Sequence, residues 1–178
     1  ISKDEMSPYI PKAFISIEDE RFEEHNGVDW KRTLGAFMTF MTHSGESSFG
    51  GSTITQQVVK NVTGESDDSA LAGAMRKIKE IVRAYEVENM LSKDEILELY
   101  LNLIPLGGGG SNIYGVQMAS RYYFNKDAKD VTVAEAAYIA GITSAPNRYN
   151  PFSEIDRKET IDKKVRTVLG KMKELGKI

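Results

Sequence analysis

Three short blocks of this sequence carry residue types from which a group-transfer site can be built. The first is Phe14 to Gly27, FISIEDERFEEHNG. Glu18 and Asp19 close an apolar stretch, and Phe22, His25 and Gly27 follow. A carboxylate with apolar neighbours is the setting in which desolvation makes a general base. The ordinary alternative is a solvated helix end, since acidic side chains are mostly exposed. The second block is Gly50 to Asn61, GGSTITQQVVKN. Two glycines followed by Ser52 and Thr53 open a helix, and free N–H groups at such an end attract anions, phosphates in particular. Gln56 and Lys60 stand one turn apart and Gln57 and Lys60 three residues apart, so either pair can share a face; an ordinary capped helix is the alternative. The third block is RKIKE, Arg76 to Glu80, with Arg83 beyond. Ile78, Ile81, Val82 and Tyr85 form an apolar stripe, and Arg76, Glu80 and Arg83 fall opposite it with Lys77 at the edge. That is either a cationic site for a phosphate with a carboxylate among the cations, or an Arg76–Glu80 pair on a wet surface worth a few tenths of a kcal/mol.

The elements that position these groups read as helices almost throughout. Ser7-Pro8 reads as an N-cap followed by proline at the first helical position, with Ile10, Ala13, Phe14 and Ile17 then at helical spacing. Ser92 to Glu95 and Thr132 to Glu135 are capping boxes, each ahead of a helical run. A long helix covers about residues 70–91, and Ser153 is expected to cap a last helix through Ile161, Val165, Val168, Leu169 and Met172. Gly50-Gly51, the polar stretch Gly64 to Ser69, the run Gly107 to Gly110 and Asn150-Pro151 punctuate the chain. From Val28 to Gly45 the residues Trp30, Leu34, Phe37, Met38, Phe40 and Met41 are large and apolar. They belong either to a core helix or to a segment dipping into a bilayer surface, with Trp30, Lys31 and Arg32 at the headgroups.

Composition narrows the classes. The 178 residues hold 23 Lys plus Arg against 26 Asp plus Glu, a net charge of −3, which excludes a generic nucleic-acid coat. No cysteine is present, so thiolate chemistry and disulfide scaffolds are excluded. His25 and His43 alone make an imidazole-rich metal site unexpected. No run of about 18 apolar residues spans a membrane. The chain opens on Ile1, which reads as part of something longer. The segment from Ser153 onward, with eight basic and five acidic residues, reads as a packed terminal helix or the start of a linker.

In this order, the blocks EDERFEEHNG, GGSTITQQVVKN, RKIKE, KDEILELYLN and AEAAYIAGITSAPNRYNP resemble the peptidoglycan glycosyltransferase domain of class A penicillin-binding proteins and monofunctional transglycosylases. Five blocks in order and spacing make the likeness specific, over roughly Tyr9 to Phe152. The resemblance implies an all-α, lysozyme-like fold with a head lobe and a smaller membrane-contacting jaw, residues 1–152, followed by a C-terminal helix in 153–178. It implies polymerisation of lipid II into β-1,4 glycan strands with inversion and release of undecaprenyl pyrophosphate. A lysozyme-like hydrolase or lytic transglycosylase is the competing reading, and it needs no pyrophosphate site.

Residue by residue, Glu18 matches the family's proposed base and Glu80 its second essential carboxylate. Asp19, Gln57, Lys60, Asn61, Arg76, Lys77 and Lys79 match positions near the donor pyrophosphate or its supporting shell, and Ser52 and Thr53 match the glycine-loop positions beside it. Val28 to Gly45 matches the jaw. The resemblance leaves two roles open for Glu80: orienting the cations, or holding a divalent cation, Mg or Mn, on the pyrophosphate. The partners implied are lipid II, the growing lipid-linked strand, a membrane surface and a covalently attached transpeptidase domain. The implied location is the outer face of the bacterial cytoplasmic membrane, with an N-terminal transmembrane anchor. Phosphoglycolipid inhibitors of the moenomycin type are expected near Glu18, Gln57, Lys60 and Glu80. Two departures stand out. Ala72 occupies a place where the family usually carries a cation, and IPLGGGGS, Ile104 to Ser111, is glycine-rich enough to suggest an unusually mobile loop.

Overall fold

The structure, a computed structural model, describes residues 1–35, 51–64, 70–108 and 110–178, with side chains left undescribed at 70–74. Phe37, Met38, Phe40, Met41, His43, Gly50 and the stretch 65–69 lie outside the described residues. The fold is all-α: among the described residues there is no strand, and Pro105 and Tyr114 make an isolated antiparallel bridge. The chain forms two compact units, residues 1–20 with 98–178, and residues 21–97.

The first unit is built round a helix that is apolar on every side. Helix α1 is Tyr9–Glu18, and Pro8 rather than Ser7 takes its N-cap position, with no side-chain capping bond. Helix α4, Lys93–Leu103, enters this unit from residue 98. Helices α5, Gly115–Phe124, α6, Val133–Ile142, and α7, Lys158–Glu174, complete it. Thr132 caps α6 in a reciprocal box with Glu135, as the sequence predicts. From Ala136 to Ile142 every residue of α6 is buried, and α1 and α7 pack against it. Helix α1 contributes Ile10, Ala13 and Phe14 to the core, and the Phe14 ring meets Tyr100 edge to face at 5.7 Å. Helix α7 contributes Val168 and Met172. Ser153 does not cap it. The chain first turns through residues 151–157, where Ser153 Oγ accepts from the Ile155 N–H and from Arg157 Nε, and the helix opens at Lys158.

The glycine-rich segment has a packing reason. A Cβ on Gly107 would sit 1.9 Å from the Ser111 carbonyl oxygen, and the Leu106 N–H donates to the Ile113 carbonyl across the same loop. Glycine there permits a tight reversal that a side chain would block. Tyr123 donates its hydroxyl to the Leu106 carbonyl, and burial pushes that phenol up to about 12.

The second unit holds helices α2, Ile54–Thr63, and α3, Ala70–Met90, packed along one another, with the start of α4. A helical segment also runs over 30–35. The Asp29 carboxylate accepts the Arg32 N–H at its start and takes the Arg21 guanidinium at 2.8 Å. Ser92 and Glu95 form the expected box at the head of α4. Gly27, at φ +86°, passes so close to α3 that a Cβ would lie 2.8 Å from the Ala84 carbonyl oxygen.

Candidate active site

In the first unit, Glu18 is the last residue of α1 and Asp19 its C-cap, with the Asp19 N–H closing the helix onto the Ile15 carbonyl. Helix α1 ends there because Asp19 leaves helical geometry, at φ −158° and ψ 72°. The Thr143 hydroxyl, just past the end of α6, lies 2.6 Å from Glu18 Oε1. Asp19 is fully buried. Tyr100 is buried beneath them. Burial first, and then the charges of Glu18 and Asp19, hold its phenol well above the usual range, so it stays protonated.

In the second unit, Thr53 caps α2 in a capping box with Gln56 that the sequence reading did not identify. Thr53 Oγ1 accepts the Gln56 N–H at 3.1 Å, and Gln56 Oε1 accepts the Thr53 N–H at 3.0 Å. The Thr53 hydroxyl also donates to the Gly27 carbonyl at 2.6 Å, which ties the loop after Phe22 to the head of α2. The box fixes Gln56 in the interior, so Gln57, half-buried, is the glutamine that shares the accessible side of α2 with Lys60 and Asn61. Beside this helix start, Lys77 Nζ donates to Ser52 Oγ at 2.8 Å and to Glu80 Oε2 at 3.1 Å. Arg76 Nε stands 3.5 Å from Glu80 Oε1. Lys79 and Lys60 are exposed. The structure therefore brings Ser52, Arg76, Lys77 and Glu80 into one cluster at the opening of α2. Two buried donor nitrogens, Gln56 Nε2 and Arg76 Nε, have no hydrogen-bond acceptor among the described residues. Ala72 lies in α3, but its side chain is outside the description.

The burial of Glu80 bears on the two readings of its block. Glu80 is 7% exposed, not on a wet surface, while Ile78 and Val82 are 55% and 52% exposed. The apolar stripe of α3 faces outward. Met75 and Tyr85 continue it, and Trp30 joins it by donating its indole N–H to the Tyr85 hydroxyl at 2.8 Å. Trp30 and Leu34 are exposed as well. Sequence periodicity found the stripe and gave it the usual inward sense; Met75 went unnoticed as part of it.

A second polar group, which the sequence did not signal, joins α3 to α2 and to the start of α4. Glu88, near the end of α3, accepts from Thr55 Oγ1 at 2.6 Å and from Lys93 Nζ at 2.7 Å. Lys93 also donates to the His25 carbonyl and sits 4.6 Å above the Phe22 ring.

The transglycosylase family profile matches residues 1–173, and the chain belongs to that family. Penicillin-binding protein 1F of Bacillus subtilis and penicillin-binding protein 1A of Clostridium perfringens are each 42% identical to the chain over all of its residues. Penicillin-binding protein 1A of Escherichia coli is 45% identical over 88% of it. The chain spans 23%, 26% and 18% of the lengths of these three relatives. Within the family it is a peptidoglycan glycosyltransferase.

Proposed function

We propose that the domain polymerises lipid II by a single inverting displacement. Glu18 takes the proton of the acceptor's 4-hydroxyl. The acceptor O4–C1 bond forms as the C1–oxygen bond to pyrophosphate breaks on the opposite face. An α-linked donor thereby becomes a β-1,4 product, and undecaprenyl pyrophosphate leaves with the bonding electron pair. A positioned base of this kind contributes roughly 10²–10⁴ in rate. The departing pyrophosphate gathers negative charge, and Arg76, Lys77, Lys60 and the head of α2 are assigned to stabilise it.

The observation that carries this reading is the cluster of Lys77, Ser52, Arg76 and the buried Glu80 at a helix N-terminus. A hydrolase acting on finished glycan has no charged leaving group and no use for it. Glu80 has a cation on each oxygen, Lys77 on Oε2 and Arg76 beside Oε1. Both carboxylate oxygens are thus taken up by cations of α3, which favours the orienting role for Glu80 over holding a divalent cation.

A membrane surface is the proposed partner of the outward face of α3 and of Trp30 and Leu34, since large apolar side chains exposed together are stabilised by lipid. No described helix is long and apolar enough to cross a membrane. Anchoring at the outer face of the cytoplasmic membrane and attachment to a transpeptidase domain are proposed from the greater length of the relatives.

The test is incubation of the protein and its Glu18→Gln variant with lipid II or with finished glycan. Growth of strands from lipid II by the parent alone is the expected result. Shortening of finished glycan, or undiminished growth by the variant, overturns the assignment.

A further inference from the structure

Glu18 Oε1 is met at 2.6 Å by the hydroxyl oxygen of Thr143. The same hydroxyl oxygen lies 2.9 Å from the Ala140 carbonyl. A threonine hydroxyl carries one hydrogen and cannot satisfy both acceptors at once. We infer that Thr143 is a positioning residue for the catalytic base: it holds the Glu18 carboxylate in one orientation while charged, and its hydrogen turns to the Ala140 carbonyl once Glu18 has been protonated. The inference rests on Glu18 being the base.

The geometry supports each step. Donation from a hydroxyl to an ionised carboxylate falls in the 2.5–2.7 Å range expected of a charge-assisted bond, and that bond weakens when the carboxylate takes up a proton. The Ala140 carbonyl is then already within reach, so the hydroxyl hydrogen is never left without an acceptor in a partly buried place. Nothing is consumed; one hydrogen exchanges one acceptor for another. Position matters as much as chemistry. Glu18 ends α1, where a helix leaves its last side chain weakly fixed, whereas Thr143 follows α6, the fully buried helix of this unit. A contact across 125 residues of sequence thus transfers the rigidity of the core to the base.

The experiment measures lipid II polymerisation by the full chain in four forms: parent, Thr143→Val, Thr143→Ser and Glu18→Gln. Valine keeps the shape and removes the hydroxyl; serine keeps the hydroxyl. The valine variant is expected to lose roughly 10- to 100-fold in kcat, as misplacement of a reacting group does. Its KM should stay close to the parent value and its melting temperature within a few degrees, while serine restores most of the rate. A fully active Glu18→Gln protein removes the base itself, and the inference with it. An inactive Glu18→Gln protein beside a valine variant as fast as the parent overturns the positioning role alone. A serine variant as slow as valine overturns it too, because the hydroxyl would then not be the cause. Should the valine protein fail to fold, Thr143→Ala against Thr143→Ser makes the same comparison.

Discussion

Replacing Lys93 by methionine tests whether the cation under the loop that follows Phe22 holds the second unit together. Lys93 Nζ meets Glu88 Oε1 at 2.7 Å and the His25 carbonyl, and it covers the Phe22 ring. The Glu88 side chain is 7% exposed, so removing its cation leaves a buried carboxylate held by the Thr55 hydroxyl. Breaking a buried pair from one side costs about 3–5 kcal/mol, because the surviving charge stays desolvated. For a chain of this size each kcal/mol moves the melting temperature by about 2–4 °C, which gives a fall of about 6–20 °C. Circular dichroism during heating and during urea unfolding measures it. Adding Glu88→Gln to Lys93→Met should recover part of the loss, since the uncompensated charge is then gone and the amide can still accept from Thr55. A single variant that melts within about 2 °C of the parent, or a double variant that is worse by the full sum of the two changes, would refute the reasoning.

Two further outcomes follow from the second unit. Burial pushes the Asp29 carboxyl up, but the Arg32 N–H and the Arg21 guanidinium outweigh it and hold it below the usual carboxylate range. A depressed folded value means stability that is present above the unfolded value, about 3.9, and is lost as pH falls through the folded one. Urea midpoints should therefore drop on acidification below about pH 4, and Asp29→Asn should flatten that limb while lowering stability at neutral pH by about 1–3 kcal/mol. On the outward face of α3, Trp30→Ser combined with Val82→Ser should weaken binding to anionic liposomes in a flotation assay by tenfold or more, at about 1.5–3 kcal/mol for each large apolar side chain withdrawn from lipid. The far-UV helical signal should persist because both side chains are exposed; unchanged binding would remove this face from the proposed contact.

What the sequence made legible was what is local. The boxes at Ser92 and Thr132 need only a hydroxyl and a glutamate three residues on, and both formed. The long helix over 70–90 and the termination of α1 at Glu18 and Asp19 were equally readable, because caps and periodicity act within a turn or two. Thr53–Gln56 obeys the same rule, but a glutamine in a polar run invites a ligand-binding reading that hides its capping use. Ser153 shows the reverse error: a good capping residue followed by an apolar period, yet Asn150 and Pro151 set up a turn that delays the helix to Lys158. The contacts that matter most to the chemistry were not readable at all. Thr143 reaches Glu18 from 125 residues away, and Lys77 reaches Ser52 across 25. Neither leaves a periodic trace, so only recognition of the ordered blocks could place these residues near chemistry.

Helix α3 shows why its stripe misled. In a helix that serves stability alone, Met75, Ile78, Val82 and Tyr85 would face the core. The inward side here carries Glu80 and Ala84 instead, and each has a reason to be there. Glu80 gathers Lys77 and Arg76 beside the head of α2. Ala84 is small enough for Gly27 to pass over it, so that the Gly27 carbonyl can take the Thr53 hydroxyl. At 3.6 residues per turn, positions 80 and 84 share one side, and positions 78, 82 and 85 are carried to the other. Turning the carboxylate inward therefore forces the apolar side chains outward. In water that arrangement loses twice, once for the buried charge and once for the exposed stripe. Against the proposed lipid surface the second loss disappears. Local rules that fail together at one helix mark a place where function outranks stability, and the buried carboxylate and the exposed stripe of α3 are two consequences of a single rotation.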